Sequence, residues 1–183
     1  MGGMITVRQA VSADAALLHR MARRLHVEGR DWNSAQATGF FLYVGSEADY
    51  QKKLSESRYC YVAMLDDEAV GFLTTVTPDG VAKHPNPKNR TLFEQNGKYP
   101  LVLEQIGVLP EHQGRGAGQA LLDRMCADWS GRIVATVVHG PLRNERSINF
   151  LAVRNGWQQF REVRTSQRLW GFYEWISSGT AVV

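Results

Sequence analysis

Three glycines stand within five positions directly before an apolar helical pattern, in the stretch EHQGRGAGQALL. Glycine inside regular structure costs about 0.5–1 kcal/mol relative to alanine, so Gly114, Gly116 and Gly118 need a conformational or steric reason. Backbone N–H groups that converge at a helix N-terminus, together with the helix dipole, can bind an anion such as phosphate. The stretch therefore predicts either a phosphate-binding loop or a tight turn without a ligand.

The loop departs from two common nucleotide-binding motifs. No Gly-Lys followed by Ser or Thr comes after the glycines, as a Walker loop requires, and the preceding strand lacks the βαβ acidic partner of a dinucleotide fingerprint. Arg115 either adds charge near a bound phosphate or is an ordinary solvated arginine, and both interpretations stay open. Gln119 is expected to be structural or solvent-facing.

The composition predicts one globular domain over residues 1–183. The chain is 44% hydrophobic and 21% charged, and its length allows one substantial core. A net charge of +3 suits a small anionic ligand but does not by itself indicate nucleic-acid binding. Arg20, Arg23 and Arg24 form the densest basic group, which is expected to be the solvated face of a helix. We therefore expect no nucleic-acid partner.

The cysteines and histidines favour neither a disulfide framework nor a metal site. Cys60 and Cys126 stand in apolar stretches outside any CxxC pattern, so we expect them to be small buried hydrophobes. The helix-compatible pair His19 and His26 has no nearby carboxylate to complete a metal site. No stretch approaches ~18 apolar residues, and the N-terminal residues lack a signal pattern. We expect a cytoplasmic protein without a membrane partner.

Hydrophobic periodicity predicts the elements that position the glycine loop. They follow each other in the order βααβββαβαββ, which is typical of an α/β sandwich with a mixed sheet. Ser12 is expected to cap the first helix. The strands are expected at residues 5–10, 58–64, 69–76, 101–109, 132–138, 157–163 and 167–175. The helices are expected at residues 12–25, 47–56, about 119–129, and 144–154.

Two segments lack a regular pattern. Residues 29–45 are aromatic and glycine-containing, and residues 77–100 are rich in Pro, Asn and Lys. Ordinary connections have about 4–6 residues, so an insertion at about 77–100 is expected to be functional, a contact surface or partly disordered.

The stretch GVLPEHQGRGAGQALL resembles the signature of the GNAT N-acyltransferase superfamily, in which a strand leads into Gln/Arg-x-x-Gly-x-Gly/Ala and a helix. The element order also resembles that superfamily, from about Ile5 to Trp175. The resemblance implies an α/β fold with a GNAT-like mixed, mostly antiparallel central sheet flanked by helices. It also implies that the loop holds the pyrophosphate of acetyl-coenzyme A. The corresponding positions are Gln113, Gly114, Arg115, Gly116, Ala117 and Gly118.

The same resemblance implies roles for the strand before the loop. Backbone groups of Ile106, Gly107 and Val108 would pair with the pantetheine arm, and the Val108 N–H would polarise the thioester carbonyl. Glu104 occupies a position at which many members carry the carboxylate that removes the amine proton. A glutamate near a strand end also commonly faces solvent or pairs with a lysine, so both interpretations of Glu104 stay open.

The segment VVHGPLRNERSINFLAVRNGW resembles the next strand and helix of the superfamily. Asn144 matches an asparagine that contacts the pantetheine or begins the helix, and an N-cap alone would explain it. Ser147 would face the coenzyme one turn later.

That helix also departs from the family pattern. Many members carry a tyrosine on it that protonates the leaving thiolate, and the helix here is about one residue longer than usual. His139 and Tyr173 are candidate substitutes for this acid, although core packing also explains them. Where the tyrosine would stand, the sequence has Leu151, Ala152 and Val153.

The resemblance predicts an N-acetyltransferase that uses acetyl-coenzyme A as co-substrate, needs no metal, and acts on a primary amine in a direct ternary complex. The acceptor is a small molecule or a peptide. The alternative is a coenzyme A-binding regulatory or interaction protein with little turnover. The insertion would cover the acceptor pocket or support a homodimer. Aromatic residues expected near that pocket are Trp32, Phe40, Phe41, Tyr43, Trp170, Phe172 and Tyr173.

Overall fold

A computed structural model describes residues 3–28 and 30–176. The strands are β1 Ile5–Gln9, β2 Tyr61–Leu65, β3 Glu68–Val76, β4 Leu101–Val108, β5 Arg132–Gly140, β6 Gln158–Arg164 and β7 Leu169–Ile176. The helices are α1 Ala15–Leu25, α2 Trp32–Thr38, α3 Glu47–Glu56, α4 Pro78–Ala82, α5 Pro87–Phe93, α6 Ala117–Asp128 and α7 Glu145–Ile148. A π-helical turn, Asn149–Arg154, continues α7.

The strands form one mixed sheet in the order β1-β2-β3-β4-β5-β7-β6. The pairs β1–β2, β2–β3, β5–β7 and β6–β7 are antiparallel, whereas β4 and β5 are parallel. The predicted fold class, a mixed and mostly antiparallel sheet with helices, is therefore confirmed.

The chain groups into two compact units, Met1–Thr75 with Gln105–Trp129, and Val76–Glu104 with Ser130–Val183. The expectation of one domain over residues 1–183 stays a prediction, and residues 1, 2, 29 and 177–183 lie outside the described part of the chain. No helix within the described residues is long and apolar enough to span a bilayer.

The core of the first unit lies beneath the apolar face of α1. Leu18, Met21 and Leu25, spaced by three and four residues, are buried against Tyr50 of α3 and Phe72 of β3. This spacing is the helical period that the sequence predicted. The arginines of the opposite face, Arg20, Arg23 and Arg24, are exposed, as expected.

The predicted cap of the first helix is wrong. Ser12 begins a 3₁₀ turn, Ser12–Asp14, and α1 starts only at Ala15. The Asp14 carboxylate accepts a hydrogen bond from the Val11 N–H at 2.9 Å and binds the Arg8 guanidinium with both oxygens, at 2.7 and 2.8 Å. Asp14 therefore organises this start, because it can satisfy a backbone donor and a cation together.

Three short helices occupy segments that the sequence pattern left irregular. Asp31 caps α2 by accepting from the Ser34 N–H at 2.8 Å, so residues 30–45 are more regular than expected. Within residues 77–100, Thr77 caps α4 and Asn86 caps α5, each followed by proline at the first helical position. Prolines that suggested a loop are therefore helix starts.

In the second unit, α5 is held against the sheet by an arginine of β5. The Arg132 side chain donates to Glu174 Oε2 at 2.7 Å and to the backbone oxygen of Phe93 at 2.9 Å. Both partners of this ion pair are largely buried. Phe93 also packs against Phe172, with 5.6 Å between the ring centroids. The insertion is therefore folded onto its unit.

The two cysteines are free thiols. Cys60 is fully buried in the core of the first unit, as predicted, and Cys126 on α6 is half-buried. Burial raises the pKa of the Cys126 thiol to about 11, so this side chain stays protonated at neutral pH.

Candidate functional site

The glycine loop connects β4 to α6 through two residues with left-handed backbones. After the 3₁₀ turn Pro110–His112, Gly114 has φ +79° and Gly116 has φ +90°. A Cβ atom at either position would have no neighbour within 4 Å, so conformation and not crowding requires glycine here. Gly118 lies in the first turn of α6 and is half-buried.

The N-terminus of α6 carries the features of an anion site. Its N-cap is Gly116, which offers no capping side chain, and the first turn contains no acidic residue. The first intrahelical hydrogen bond runs from the Ala120 N–H to the Gly116 oxygen at 2.9 Å. The N–H groups before Ala120 thus have no acceptor within the helix, and the helix dipole adds positive potential. Arg115 is exposed beside them.

Gln113 fastens the loop to its surroundings. Its Nε2 donates to the backbone oxygen of Thr38 at 2.8 Å and to that of Val108 at 3.0 Å. The sequence predicted Gln113 as a coenzyme residue, and its side-chain amide is used within the protein. Its contact with a coenzyme stays a prediction.

Gly107, and Gly71, which the sequence analysis did not single out, let neighbouring elements approach closely. A Cβ at Gly71 of β3 would lie 2.8 Å from the backbone oxygen of Gly107. A Cβ at Gly107 would collide with Leu25 and lie 2.8 Å from the Phe41 ring. Isolated glycines inside strand patterns are the local signal for such close approach.

The two faces of β4 differ in what they contact. Gln105 accepts from the Tyr50 hydroxyl at 2.8 Å and donates to the Tyr43 oxygen at 2.9 Å, so it shares the helix-covered face with Gly107. Since strand residues alternate, Glu104 and Val108 belong to the other face.

The predicted site residues of β4 come later in the strand than the residues that pair with β5. Glu104 is exposed, and Ile106, Gly107 and Val108 are half-buried. The ladder to β5 pairs Leu101, Val102 and Leu103 with residues 133–135, so all its members on β4 precede Glu104.

In the second unit, Asn144 is the N-cap of α7. Its buried side chain accepts from the Ser147 N–H at 3.2 Å, and its own N–H donates to the Val138 oxygen at 3.0 Å. The N-cap role that the sequence left open is therefore present, while a contact with ligand stays a prediction. Ser147 is half-buried one turn later.

A π-helical turn explains the extra length of this helix. Residues Asn149–Arg154 are π-helical, and a π turn absorbs one residue more than an α turn. Leu151 is buried, Ala152 is half-buried and Val153 is 75% exposed. None of these side chains can donate a proton.

His139 and Tyr173, the candidate substitutes, contact each other. His139 Nε2 lies 2.8 Å from the Tyr173 hydroxyl, and His139 Nδ1 lies 2.8 Å from Glu162 Oε2. Burial raises the pKa of Tyr173 above its usual value. Glu162 was missed by the sequence analysis, because a glutamate in a strand of alternating polarity gives no separate signal.

Most of the predicted pocket aromatics serve packing. Phe40 and Phe172 are buried, and Phe41 lies against Phe72 with 5.7 Å between ring centroids. Trp32 is more accessible, and Tyr43 is 65% exposed. The aromatic group is thus divided between core and surface, and Tyr43 is the most accessible of the expected residues described here.

Within the described residues, no group of three or more His, Cys, Asp or Glu side chains could hold a metal ion. His19 and His26, the pair considered in the sequence, each lie near a backbone oxygen, that of Gly45 at 2.9 Å and that of Leu42 at 3.4 Å.

The model of the acetyltransferase (GNAT) family matches residues 26–157. No curated protein matches the chain by sequence. Solved structures similar to it include the ribosomal-protein-S18-alanine N-acetyltransferase of Escherichia coli, with a TM-score of 0.66 and 17% identity over 98% of this chain and 99% of that one.

Two further similar structures come from eukaryotes. Naa50 of Arabidopsis thaliana, in complex with the bisubstrate analogue CoA-Ac-MVNAL, has a TM-score of 0.63 and 14% identity over 93% of this chain and 97% of that one. The polyamine N-acetyltransferase of Drosophila melanogaster, which forms N-acetylagmatine, has a TM-score of 0.61 and 13% identity over 94% of this chain and 100% of that one. At these identities the likeness concerns the fold.

Proposed function

Because the chain belongs to the acetyltransferase (GNAT) family and is an acyltransferase, we propose that it moves the acetyl group of acetyl-coenzyme A to a primary amine of a small molecule or a peptide. The observation that carries this proposal is the glycine loop, whose two left-handed glycines lie before a twelve-residue helix with open space around them. Donor and acceptor bind together in a direct ternary complex, and their proximity supplies much of the acceleration.

The loop holds the pyrophosphate of the coenzyme. Backbone N–H groups at Gly116, Ala117 and Gly118 have the geometry of a helix N-terminus, and the dipole favours negative charge there. Arg115 adds a positive charge beside them, and Gly114 makes the turn. Gln113 contributes by holding the loop in place.

Backbone groups of Ile106, Gly107 and Val108 bind the pantetheine arm. The hydrogen-bonded ladder between β4 and β5 supports this proposal. Its members on β4 all precede Glu104, so Ile106, Gly107 and Val108 lie beyond it. The Val108 N–H donates to the thioester carbonyl as negative charge develops on its oxygen, a type of interaction whose loss costs about 10²–10³ in rate elsewhere. Asn144 and Ser147 contact the same arm.

Glu104 accepts the proton that the acceptor amine must lose before it attacks. Its side chain is exposed on the strand, on the same face as Val108. A general base typically contributes about 10²–10⁴ in rate. The proposed proton transfer uses no metal ion.

The acceptor class rests on the exposed aromatic side chains and on the range of similar proteins. One similar enzyme is named for an alanine of ribosomal protein S18, one binds a bisubstrate analogue containing MVNAL, and one forms N-acetylagmatine. A small-molecule amine is the first choice and a peptide amine the second. Trp32 and Tyr43 supply aromatic surface that suits a cationic or apolar acceptor.

The remaining assignments concern assembly and location. The chain works as one domain, and the helices within residues 77–100 cover the acceptor pocket or support a homodimer. The protein acts in the cytoplasm, where two free thiols stay reduced.

A second candidate function is a coenzyme A-binding regulatory protein with little turnover. It is favoured by Leu151, Ala152 and Val153, none of which can donate a proton at the place where the sequence resemblance leads one to expect a tyrosine. Both functions require coenzyme binding, so turnover distinguishes them.

The test measures release of coenzyme A from acetyl-coenzyme A across a panel of amines, peptides and amine antibiotics. The wild type is compared with Glu104→Gln, and with Glu56→Gln on the surface of α3 as a control for charge. Turnover of one acceptor that rises with pH and falls about 10²-fold or more only in Glu104→Gln would support the proposal. Coenzyme binding without any turnover would favour the regulatory protein, and absence of binding would contradict both.

A further inference from the structure

An open cleft lies between one side of α1 and the chain segment that follows α2. Its volume is about 370 Å³, which is at the lower end of the sizes of ordinary small-molecule sites. The lining residues all belong to the first unit, and none of them is part of the glycine loop or of β4. They are His19, Arg23, His26, Leu42, Tyr43 and Val44.

The three side chains on the α1 wall stand in one row. His19, Arg23 and His26 are spaced by four and three residues, which places them on the same side of a helix. His26 directly follows Leu25, the last residue of α1. The two imidazoles are half-buried, and the guanidinium is exposed. The row thus combines one permanent positive charge with two rings that can donate or accept hydrogen bonds.

The wall opposite α1 is fixed in place by hydrogen bonds. The Phe41 N–H donates to the Leu25 oxygen at 2.8 Å, and the Val27 N–H donates to the Phe41 oxygen at 2.9 Å. The backbone oxygen of Tyr43 accepts from the Gln105 side-chain amide at 2.9 Å. Because these bonds hold the walls, the cleft is formed before a ligand arrives, which reduces the cost of binding.

Contacts with the opposite wall determine which imidazole nitrogens carry protons. His19 Nδ1 lies 2.9 Å from the Gly45 oxygen, and His26 Nε2 lies 3.4 Å from the Leu42 oxygen. A carbonyl oxygen only accepts, so each of these nitrogens is the donor. In the neutral rings, His19 Nε2 and His26 Nδ1 are therefore hydrogen-bond acceptors. Glu28 Oε2 lies 4.0 Å from His26 Nδ1 and adds negative charge at that end of the row.

Arg23 supplies the opposite charge. Within residues 3–28 and 30–176, its guanidinium forms no hydrogen bond or ion pair with the protein, whereas the neighbouring Arg24 pairs with Glu111. No carboxylate is among the described residues that line the cleft. A guanidinium whose donors are available binds a planar carboxylate through two parallel hydrogen bonds.

The rest of the lining is apolar. Leu42 and Val44 are half-buried, and Tyr43 is 65% exposed. Such a surface packs against an aliphatic or aromatic group of a ligand. The cleft therefore offers a cation, acceptors for an ammonium group and an apolar wall within one small volume.

We propose that this cleft binds a free amino acid with an apolar side chain. Its carboxylate pairs with the Arg23 guanidinium, and its ammonium group donates to the acceptor nitrogens of His19 and His26. Its side chain lies on the wall formed by residues 42–44. The inference goes beyond the proposed function and does not depend on it, because no residue that lines the cleft is assigned to coenzyme binding.

The first test records NMR spectra of the full-length protein during titration with L-leucine. We expect saturable shifts of the amide signals of residues 42–44 and of the His19 imidazole, while the amide signals of Gly114 and Gly116 do not move. Isocaproate lacks the amine of leucine and isoamylamine lacks its carboxylate, so each should bind about tenfold more weakly or worse. Absence of saturable shifts in the cleft, or equal binding of leucine and either analogue, would overturn the proposal.

The second test compares two arginine variants of α1. Arg23→Gln should weaken the binding of L-leucine about tenfold or more. Arg20→Gln is the matched control and should bind L-leucine like the wild type, because Arg20 is exposed on the same helix but does not line the cleft. Both side chains are exposed, so we expect both variants to fold. Equal affinities of the two variants for L-leucine would refute the assignment of the carboxylate to Arg23.

A parallel titration with coenzyme A separates this proposal from the proposed function. The amide signals of Gly114 and Gly116 report coenzyme binding at the glycine loop, whereas those of residues 42–44 report the amino acid. Leucine binding without a response to coenzyme A would support the cleft and contradict the proposed function. A response to coenzyme A without leucine binding would do the reverse.

Discussion

The side-chain Nε2 of Gln113 lies 3.0 Å from the backbone oxygen of Val108. This contact ties the glycine loop to the end of β4, and a second bond from the same nitrogen reaches Thr38 at 2.8 Å. The loop proposed to bind phosphate and the strand end proposed to bind the thioester are thus joined by one amide group. A loop held in this way is preorganised for its ligand.

Replacement of Gln113 should loosen the loop. Gln113→Ala leaves two backbone oxygens without their donor, which should lower the free energy of unfolding by about 1–2 kcal/mol and weaken coenzyme A binding. Gln113→Glu should be worse, because a carboxylate oxygen would face both carbonyls. Urea unfolding and calorimetric titration with coenzyme A would measure the two effects.

Gln119→Ala serves as the control, since that side chain donates to Asp123 on the same helix. Equal coenzyme affinity in Gln113→Ala and the wild type would contradict the role of this contact.

A negative charge at the N-cap of α6 should abolish phosphate binding. In Gly116→Asp the carboxylate would stand where the pyrophosphate is proposed to lie, and like charges a few ångströms apart near a surface repel by about 4 kcal/mol. Coenzyme A affinity should fall by about 100-fold or more. Gly97→Asp provides a matched control, because Gly97 also has a positive φ, +72°, and no neighbour within 4 Å of a Cβ. Similar losses in both variants would point to backbone strain instead of charge.

The ion pair between Arg8 and Asp14 should make stability depend on pH in the acid range. Hydrogen bonds from the Arg8 side chain lower the pKa of Asp14 below its ordinary 3.8, assisted by the Val11 N–H. A depressed folded-state pKa contributes stability that is complete above the unfolded-state pKa and is lost as pH falls through the folded-state value. Since Arg8 is partly exposed, we expect the ion pair to add about 1 kcal/mol to the free energy of unfolding at pH 7.

Denaturant unfolding of the wild type and Asp14→Asn measures this contribution. The difference in the free energy of unfolding between the two proteins should be constant from about pH 5 to 7 and should narrow below pH 3.8. Asp67→Asn, in the exposed turn between β2 and β3, makes the same change of charge and should show little difference. If the wild type and Asp14→Asn still differ by the same free energy of unfolding in strong acid, ionisation of Asp14 is not the cause of that difference.

Local patterns in the sequence predicted most of the elements. The helix over residues 47–56 agrees with α3, and the strand over residues 101–109 agrees with β4 to within one residue. These succeed because periodicity and turn residues act between near neighbours. The short helices α2, α4 and α5 carry caps at Asp31, Thr77 and Asn86, yet too few apolar residues repeat for a period to be recognised.

By itself, the sequence determined the glycine loop, the order of the main strands and helices, and the family to which they belong, because these depend on residues close together in the chain. Tertiary structure alone decided which side chains meet. Gln113 reaches Thr38, 75 residues away, and His139 contacts Glu162 and Tyr173 at separations of 23 and 34 residues. Such contacts follow from strand order and packing, so no local pattern records them.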